Sequence, residues 1–140
     1  MIKWPITYTD FDGEERSEDL YFNLSKAELM EMNFEADGAY SQFLERISKE
    51  RDVRKLGQEF KRVILKAYGE KSLDGKKFVK RDRDGYLLAN DFEQTAAYDA
   101  LMMEIFTDTE KAIKLLTGMI PKDLRGDTEK EMAKRGLTAV

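Results

Sequence analysis

Residues 2–24 show a two-residue alternation of polar and apolar side chains. In the first half of this range, Ile6 and Tyr8 alternate with threonines. In the second half, Leu20, Phe22 and Leu24 alternate with more polar residues. Period-two alternation is typical of a strand with one buried face. The pattern therefore predicts two strands that form an N-terminal β-hairpin.

The turn of this hairpin is predicted within Asp10–Glu15, where Asp12-Gly13 is a strong hairpin signal because glycine tolerates positive φ. Pro5 cannot donate to a ladder, which places the first strand at a sheet edge or at a bulge. An isolated two-stranded hairpin is only marginally stable, so its apolar face must rest on helices or on another chain.

Helical patterns follow the hairpin. Ser25 and Glu28 have capping-box spacing and predict a short helix over Lys26–Met32 that ends before Asp37-Gly38. Residues 40–49 have apolar positions at helical spacing. The strongest helical pattern covers 56–68, with Asp52 as a candidate cap and Gly69 as the predicted left-handed end.

The second half of the chain begins with a polar connection over 70–85, in which two Asp-Gly turns flank a short extended stretch at Phe78-Val79. A helical segment is predicted over Tyr86–Phe92. Thr95 is a candidate cap for the next helix, which carries Tyr98, Leu101, Met102, Ile105 and Phe106. Thr107 and Glu110 form a second capping box, which opens a helix that stops at Gly118.

These elements predict an α+β, mainly α, fold: an N-terminal β-hairpin, a bundle of about five to six short helices, and a polar C-terminal tail. A length of 140 residues fits one domain. We expect a single globular domain over 1–121, made of the hairpin at 1–24 and the helices at 25–121. Residues 122–140 are polar and are expected to form a flexible tail with at best a fraying helix over 128–135.

Composition removes several classes of function. The chain has no cysteine and no histidine, which excludes disulfides, cysteine nucleophiles, histidine bases and His-containing zinc sites. The N-terminus has no apolar signal region, and no stretch approaches the length of a membrane helix. The formal charge of −4 gives a nucleic-acid partner no support. We expect no membrane association, no cofactor, no metal site and no catalytic residue.

Two polar segments have patterns that suggest a binding site. Asp82-Arg83-Asp84-Gly85 matches part of a calcium loop, but Lys80 would then occupy the first ligand position, where a cation repels calcium. The basic run over 76–83 surrounds Phe78 and could hold single-stranded nucleic acid by stacking and phosphate contacts. An ordinary Asp-Gly turn is the simpler explanation of the first segment. A solvated loop is the simpler explanation of the basic run, with an acidic protein partner as the intermediate alternative.

The methionines favour either core filling or an adaptable binding surface. The last two apolar helices could form a groove for a partner helix, although some of their residues must be core. The predicted partner-binding residues are Leu101, Met102, Ile105, Phe106, Leu116 and Met119.

Several stretches resemble the tail assembly chaperones of long-tailed phages and prophages of Gram-positive bacteria. The stretches are ITYTDFDGEER at 6–16, YFNLSKAEL at 21–29, ILKAYGEKS at 64–72, DGKKF at 74–78, FEQT at 92–95 with Ala97-Tyr98, and GMIP at 118–121. Together they cover most of residues 6–121. The specificity of the resemblance lies in the order and spacing of these stretches, since none is a catalytic motif.

The resemblance implies a non-enzymatic protein in the cytoplasm of an infected bacterium. Such chaperones coat the aggregation-prone tape measure protein until tail-tube subunits polymerise around it, and they are left out of the mature virion. The implied partner is the tape measure protein, with the tail-tube protein as a further candidate. Self-association of the chain into a homo-oligomer through the hairpin edge is a separate hypothesis, motivated by Pro5 and by the need to cover the hairpin.

Two other functions fit the sequence. The chain could be a structural tail or connector subunit that remains in the virion. It could also be a small nucleic-acid-binding regulator that uses the basic loop at 76–83, which predicts salt-sensitive binding.

Overall fold

The computed structural model describes residues 1–32, 39–49 and 53–123. Its strands form one four-stranded sheet in the order β1-β2-β3-β4. The strands are β1 (Ile2–Thr9), β2 (Glu15–Phe22), β3 (Tyr68–Lys71) and β4 (Phe78–Val79). The helices are α1 (Lys26–Glu31), α2 (Ala39–Lys49), α3 (Gly57–Ala67), α4 (Leu88–Phe92), α5 (Ala96–Thr107) and α6 (Thr109–Gly118), with a 3-10 turn at Val53–Leu56.

The predicted N-terminal hairpin is confirmed. β1 and β2 pair antiparallel from Ile2 opposite Phe22 to Thr9 opposite Glu15. Gly13 has a φ of 84°, as the turn requires. The Asp10 carboxylate accepts hydrogen bonds from the backbone N–H groups of Asp12 and Glu14, both at 2.9 Å. β1 is an edge strand of the sheet, which accommodates Pro5.

The connection predicted over 70–85 contributes more strand than the sequence indicated. β3 pairs with β2 through Tyr21–Gly69 and Phe22–Tyr68, and β4 pairs with β3. Both Asp-Gly turns are confirmed, because Gly75 and Gly85 have positive φ. β3 and β4 therefore extend the hairpin into a four-stranded sheet, through pairing between positions far apart in the sequence.

The predicted left-handed helix end at Gly69 is wrong. α3 ends at Ala67, Tyr68 is already extended, and Gly69 lies in β3 without a positive φ. A Cβ on Gly69 would collide with the Phe78 ring and would lie 2.5 Å from the carbonyl oxygen of Val79. Glycine is needed there because β4, which pairs with β3, lies too close to Gly69 to leave room for a Cβ atom.

Of the predicted helix caps, three lie within the described residues, and two of these three are confirmed. Ser25 and Glu28 form the predicted capping box of α1. Thr95 caps α5 by accepting from the Tyr98 N–H at 3.1 Å. The second predicted box is wrong, since Asp108 caps α6 through the Lys111 N–H and the Thr107 hydroxyl bonds back to carbonyls of α5.

Other helix predictions hold with small changes of length. α2, α3 and the end of α6 at Gly118 agree with the expected positions. α4 begins only at Leu88, because Leu87 pairs with Arg81 in an isolated bridge. The predicted helix break at Asp37-Gly38, the cap at Asp52 and the tail helix over 128–135 lie outside the described residues.

A continuous apolar core joins the sheet to the helices. Trp4 and Ile6 of β1 and Leu20 and Phe22 of β2 are buried against the helical layer. The Phe22 ring makes edge contacts with Tyr68 at 5.9 Å and Phe92 at 6.2 Å. The α+β, mainly helical fold is thereby confirmed, while the domain limits at 121 and the polar tail stay predictions.

Across the described ranges, none of the helices has both the length and the apolar character needed to cross a membrane.

Candidate partner-binding surface

α5 is the helix on which the predicted binding residues are concentrated. Its sequence, AAYDALMMEIFT, is apolar on nearly all sides, and such a helix is normally enclosed by protein. In this fold α5 packs against β1 on one side and α6 on another. Leu101 and Ile105 lie on one side of α5 and are fully buried. Met103, on the opposite side, leaves 55% of its surface exposed.

The structure divides the six predicted binding residues into two groups. Leu101, Ile105, Leu116 and Met119 are completely buried and belong to the core. Met102 is 8% exposed and Phe106 is half-buried, and both line a surface cleft. Contact with a partner in this conformation can therefore involve only Met102 and Phe106 of the predicted set. The binding role of the set stays a prediction.

The cleft lies between α5 and the first turns of α3. Its volume is about 440 Å³, and it is lined by Gly57, Lys61, Glu93, Tyr98, Asp99, Met102 and Phe106. The Phe106 ring is held by an edge contact with Phe60, with ring centres 5.8 Å apart. The absence of a side chain at Gly57 leaves space above the ring, since a Cβ there would lie 3.9 Å from Phe106 Cζ. The floor of the cleft is therefore apolar and fixed in position.

Charged side chains surround this apolar floor. Lys61 Nζ lies 2.8 Å from a carboxylate oxygen of Glu93, and both side chains are partly exposed. The hydrogen bond that Lys61 donates to the Glu93 carboxylate raises the pKa of Lys61 above its usual value. Burial raises the pKa of the Tyr98 hydroxyl, which keeps that group neutral. An apolar floor with a charged rim matches one face of an amphipathic helix.

Sequence reasoning missed Gly57, Lys61 and Met103 as parts of this surface. Asp99, Met102, Met103 and Phe106 are spaced at i, i+3, i+4 and i+7, which places them side by side on α5. The signal is that α5 is apolar on nearly all sides. A helix with so few polar positions in a small protein leaves some apolar side chains for another partner.

The basic loop does not present all its charges outward. Lys80 points inward and donates to the carbonyl oxygens of Asn23 at 2.8 Å and Lys66 at 2.6 Å, and to Glu28 at 2.6 Å. Phe78 is half-buried, so it does not stand free for base stacking. The exposed basic residues of the loop are Lys76, Lys77, Arg81 and Arg83.

The candidate calcium loop is a hydrogen-bonded turn. Asp82 Oδ1 accepts from the N–H groups of Asp84 at 2.9 Å and Tyr86 at 3.0 Å. Within residues 1–32, 39–49 and 53–123, no group of three or more carboxylates is placed to hold a metal ion. The turn accounts for the Asp-x-Asp-Gly pattern.

A family model described as a phage tail assembly chaperone matches residues 1–139. The chain belongs to the phage tail assembly chaperone family. The family resemblance found in separate stretches of residues 6–121 is therefore confirmed, and the family match extends beyond them to residue 139. No curated protein and no solved structure gave a significant match.

Membership in this family gives the α3–α5 cleft a functional context. A tail assembly chaperone acts on other proteins of the tail, so an exposed apolar surface is expected on it. The cleft with Met102 and Phe106, together with Met103 beside it, is the surface of this kind that the fold forms from α3 and α5. We define the α5 surface as Gly57, Met102, Met103 and Phe106.

Proposed function

We propose that this chaperone binds the tape measure protein and keeps it soluble during tail assembly, without any catalytic step. It acts in the cytoplasm of the infected bacterium and is absent from the mature virion. Family membership supports the assembly role. The observation that supports binding of an apolar helix is the α5 surface, an apolar floor with a charged rim.

The α5 surface has the size of a site for one or two large side chains of a partner helix. A volume of about 440 Å³ accommodates such anchors. Burial of each large apolar side chain contributes about 1.5–3 kcal/mol. Met102 and Met103 have flexible, polarisable side chains that adapt to different partner residues. This adaptability suits a chaperone that must cover many successive segments of one long helical protein.

The mechanism is mass action. A chaperone bound to an apolar face of the tape measure protein lowers the concentration of free faces and thereby disfavours their self-association. Each contact needs only moderate affinity, because many copies act along one chain. Moderate affinity also lets tail-tube subunits displace the chaperone as the tube polymerises.

Co-expression with the tape measure protein of the same phage tests the proposal. We expect the long protein to become soluble and to co-purify with the wild-type chaperone. The variant Met103→Asp places a charge on the α5 surface at a side chain that is already exposed, and it should abolish co-purification. Met30→Asp is the matched control, because Met30 is 62% exposed on α1, away from the cleft.

Gly57 offers a second pair of variants. Gly57→Leu should fill the space above the Phe106 ring and block binding. Gly57→Ala places only a methyl group at an ordinary contact distance of 3.9 Å, so binding should persist. Retained binding in both Met103→Asp and Gly57→Leu would exclude the α5 surface as the site.

Mass spectrometry of purified virions separates the chaperone from a structural subunit. A chaperone is absent from the particle or present only in traces. A stoichiometric amount of this chain in the virion would show that it is a structural or connector subunit instead.

A further inference from the structure

We propose that the tip of the β1–β2 hairpin in one copy of this chain binds the basic β3–β4 segment of a second copy. The hairpin tip is residues 9–19, and the basic segment is residues 71–83. The proposal concerns contacts between copies of the chain and does not depend on tape measure binding.

The hairpin tip projects away from the body of the protein. Every residue of 11–19 is exposed, and burial on β2 begins only at Leu20. Pairing between β2 and β3 is confined to Tyr21 and Phe22. At about 3.3 Å per residue, Glu15 stands about 20 Å beyond Tyr21 along β2. The tip is thus a two-stranded arm that no other described element covers.

The hairpin tip is strongly acidic. It contains six carboxylates and one guanidinium, a formal charge of −5 in a chain whose total is −4. Arg16 is bound to Asp10 at 2.6 Å. Asp12, Glu14, Glu15 and Asp19 have no ion pair among the residues described. The arm therefore carries a concentrated negative charge that the rest of the described fold does not neutralise.

The basic segment has the opposite charge. It contains six basic and two acidic residues, a formal charge of +4. Five of the basic side chains are exposed, while Lys80 is turned inward to Glu28. Lys76, Lys77 and Arg83 make no ion pair within the described part of the chain. Complementary potentials of this kind steer association and fix the orientation of two surfaces.

Each charged surface also carries an exposed apolar side chain. Phe11 at the hairpin tip is 85% exposed. Leu73 projects fully from the β3–β4 turn, and Tyr86 next to the basic segment is 68% exposed. An aromatic anchor inside a ring of complementary charges is the usual composition of an interaction hot spot. We therefore expect Phe11 of one copy to contact Leu73 or Tyr86 of another.

The partner is a second copy because one chain carries both complementary surfaces. β1 and β4 lie at opposite edges of the sheet. No ion pair joins the hairpin tip to the basic segment among the described residues. The two sets of charges are consequently available to other molecules, and a second copy of the chain supplies the complement of each set.

Sedimentation velocity of the purified full chain tests the contact. We expect the average mass to rise with protein concentration at about 0.1 M salt. At about 1 M salt, where the Debye length falls from about 10 Å to about 3 Å, the association constant should fall about tenfold or more. A chain that stays monomeric up to about 1 mM at low salt would overturn the proposal.

Charge exchange identifies the two surfaces. The double variant Glu14→Lys, Glu15→Lys should be monomeric on its own. The double variant Lys76→Glu, Lys77→Glu should also be monomeric on its own. A mixture of the two variants should associate again, because the unchanged hairpin tip of the Lys76→Glu, Lys77→Glu variant meets the unchanged basic segment of the Glu14→Lys, Glu15→Lys variant. All four side chains are exposed, so folding should be unaffected.

Two controls separate this proposal from the proposed function. The double variant Lys114→Glu, Lys122→Glu changes the net charge by the same amount as Lys76→Glu, Lys77→Glu, but at exposed positions outside both surfaces. It should associate as the wild type does. Phe11→Ser should weaken self-association, whereas Met103→Asp should leave it unchanged. A mixture of the charge-exchanged variants that stays monomeric would refute the contact, whatever the outcome of the tape measure experiment.

Discussion

Lys80 is the residue whose removal gives the most informative test of the fold. Its ammonium group joins three elements, because it donates to Asn23 at the end of β2, to Lys66 in the last turn of α3 and to Glu28 in α1. The Lys80 and Glu28 side chains are each only 18% exposed. The substitution Lys80→Met keeps the aliphatic stem and removes the charge and all three hydrogen bonds.

The expected loss follows from these contacts. Hydrogen bonds to a charged group contribute about 1.5–3 kcal/mol each. Burial of the ammonium opposes them and lowers the pKa of Lys80, so only part of their sum remains as net stability. Glu28 keeps its bond to the Ser25 N–H and retains some contact with water. We therefore expect Lys80→Met to lower the free energy of unfolding by about 2–3 kcal/mol.

Urea unfolding followed by circular dichroism measures this loss. With an m value of about 1.5 kcal/mol per molar, the midpoint should fall by about 1–2 M while m stays unchanged. Lys77→Met is the matched control, since Lys77 is a nearby exposed lysine. It should change the free energy of unfolding by less than about 0.5 kcal/mol. Equal midpoints for the two variants would show that the three hydrogen bonds only balance the desolvation of the ammonium.

Three further predictions test other parts of the fold. Burial raises the pKa of Tyr40 above its ordinary 10.0, so the unfolded chain ionises first and stability should fall as pH rises above about 10. Tyr40→Phe should reduce this loss of stability at high pH. At neutral pH it should lower the free energy of unfolding by about 1 kcal/mol, because the hydrogen bond from the Tyr40 hydroxyl to the Leu116 carbonyl oxygen is lost. Thermal unfolding measured across pH gives both effects. Gly69→Ala should lower the free energy of unfolding by about 2 kcal/mol or more, because the new Cβ meets the backbone of β4; unchanged urea midpoints would contradict that close approach. Asp108→Ala should lower the free energy of unfolding by about 1 kcal/mol, and Thr107→Ala should lower it by less. If thermal unfolding shows a larger loss for Thr107→Ala, Thr107 is the cap of α6 after all.

Local chemistry in the sequence predicted elements whose causes lie within a few residues. The Asp12-Gly13 turn, the Ser25 capping box and the Thr95 cap formed as expected, because each depends on one φ angle or on one side chain reaching a nearby N–H group. Period-two alternation likewise predicted β1 and β2. The family resemblance also came from the sequence, through the order of short stretches and without any catalytic motif.

Sequence reasoning failed where the cause lies far along the chain. Gly69 resembled a helix end, and only the approach of β4 to β3 shows why glycine is required there. The inward turn of Lys80 depends on Asn23 and Glu28, more than 50 residues away. No spacing rule connects such positions.

The candidate binding surface shows the same division between sequence and tertiary structure. By itself, the sequence determined that α5 is apolar on nearly all sides and therefore needs neighbours. The tertiary structure alone decided which sides α6 and β1 cover, and it left Met102 and Phe106 in a cleft and Met103 in solvent. The physical reason is that burial depends on which elements pack together, and an apolar pattern specifies the need for a partner without specifying which partner meets it.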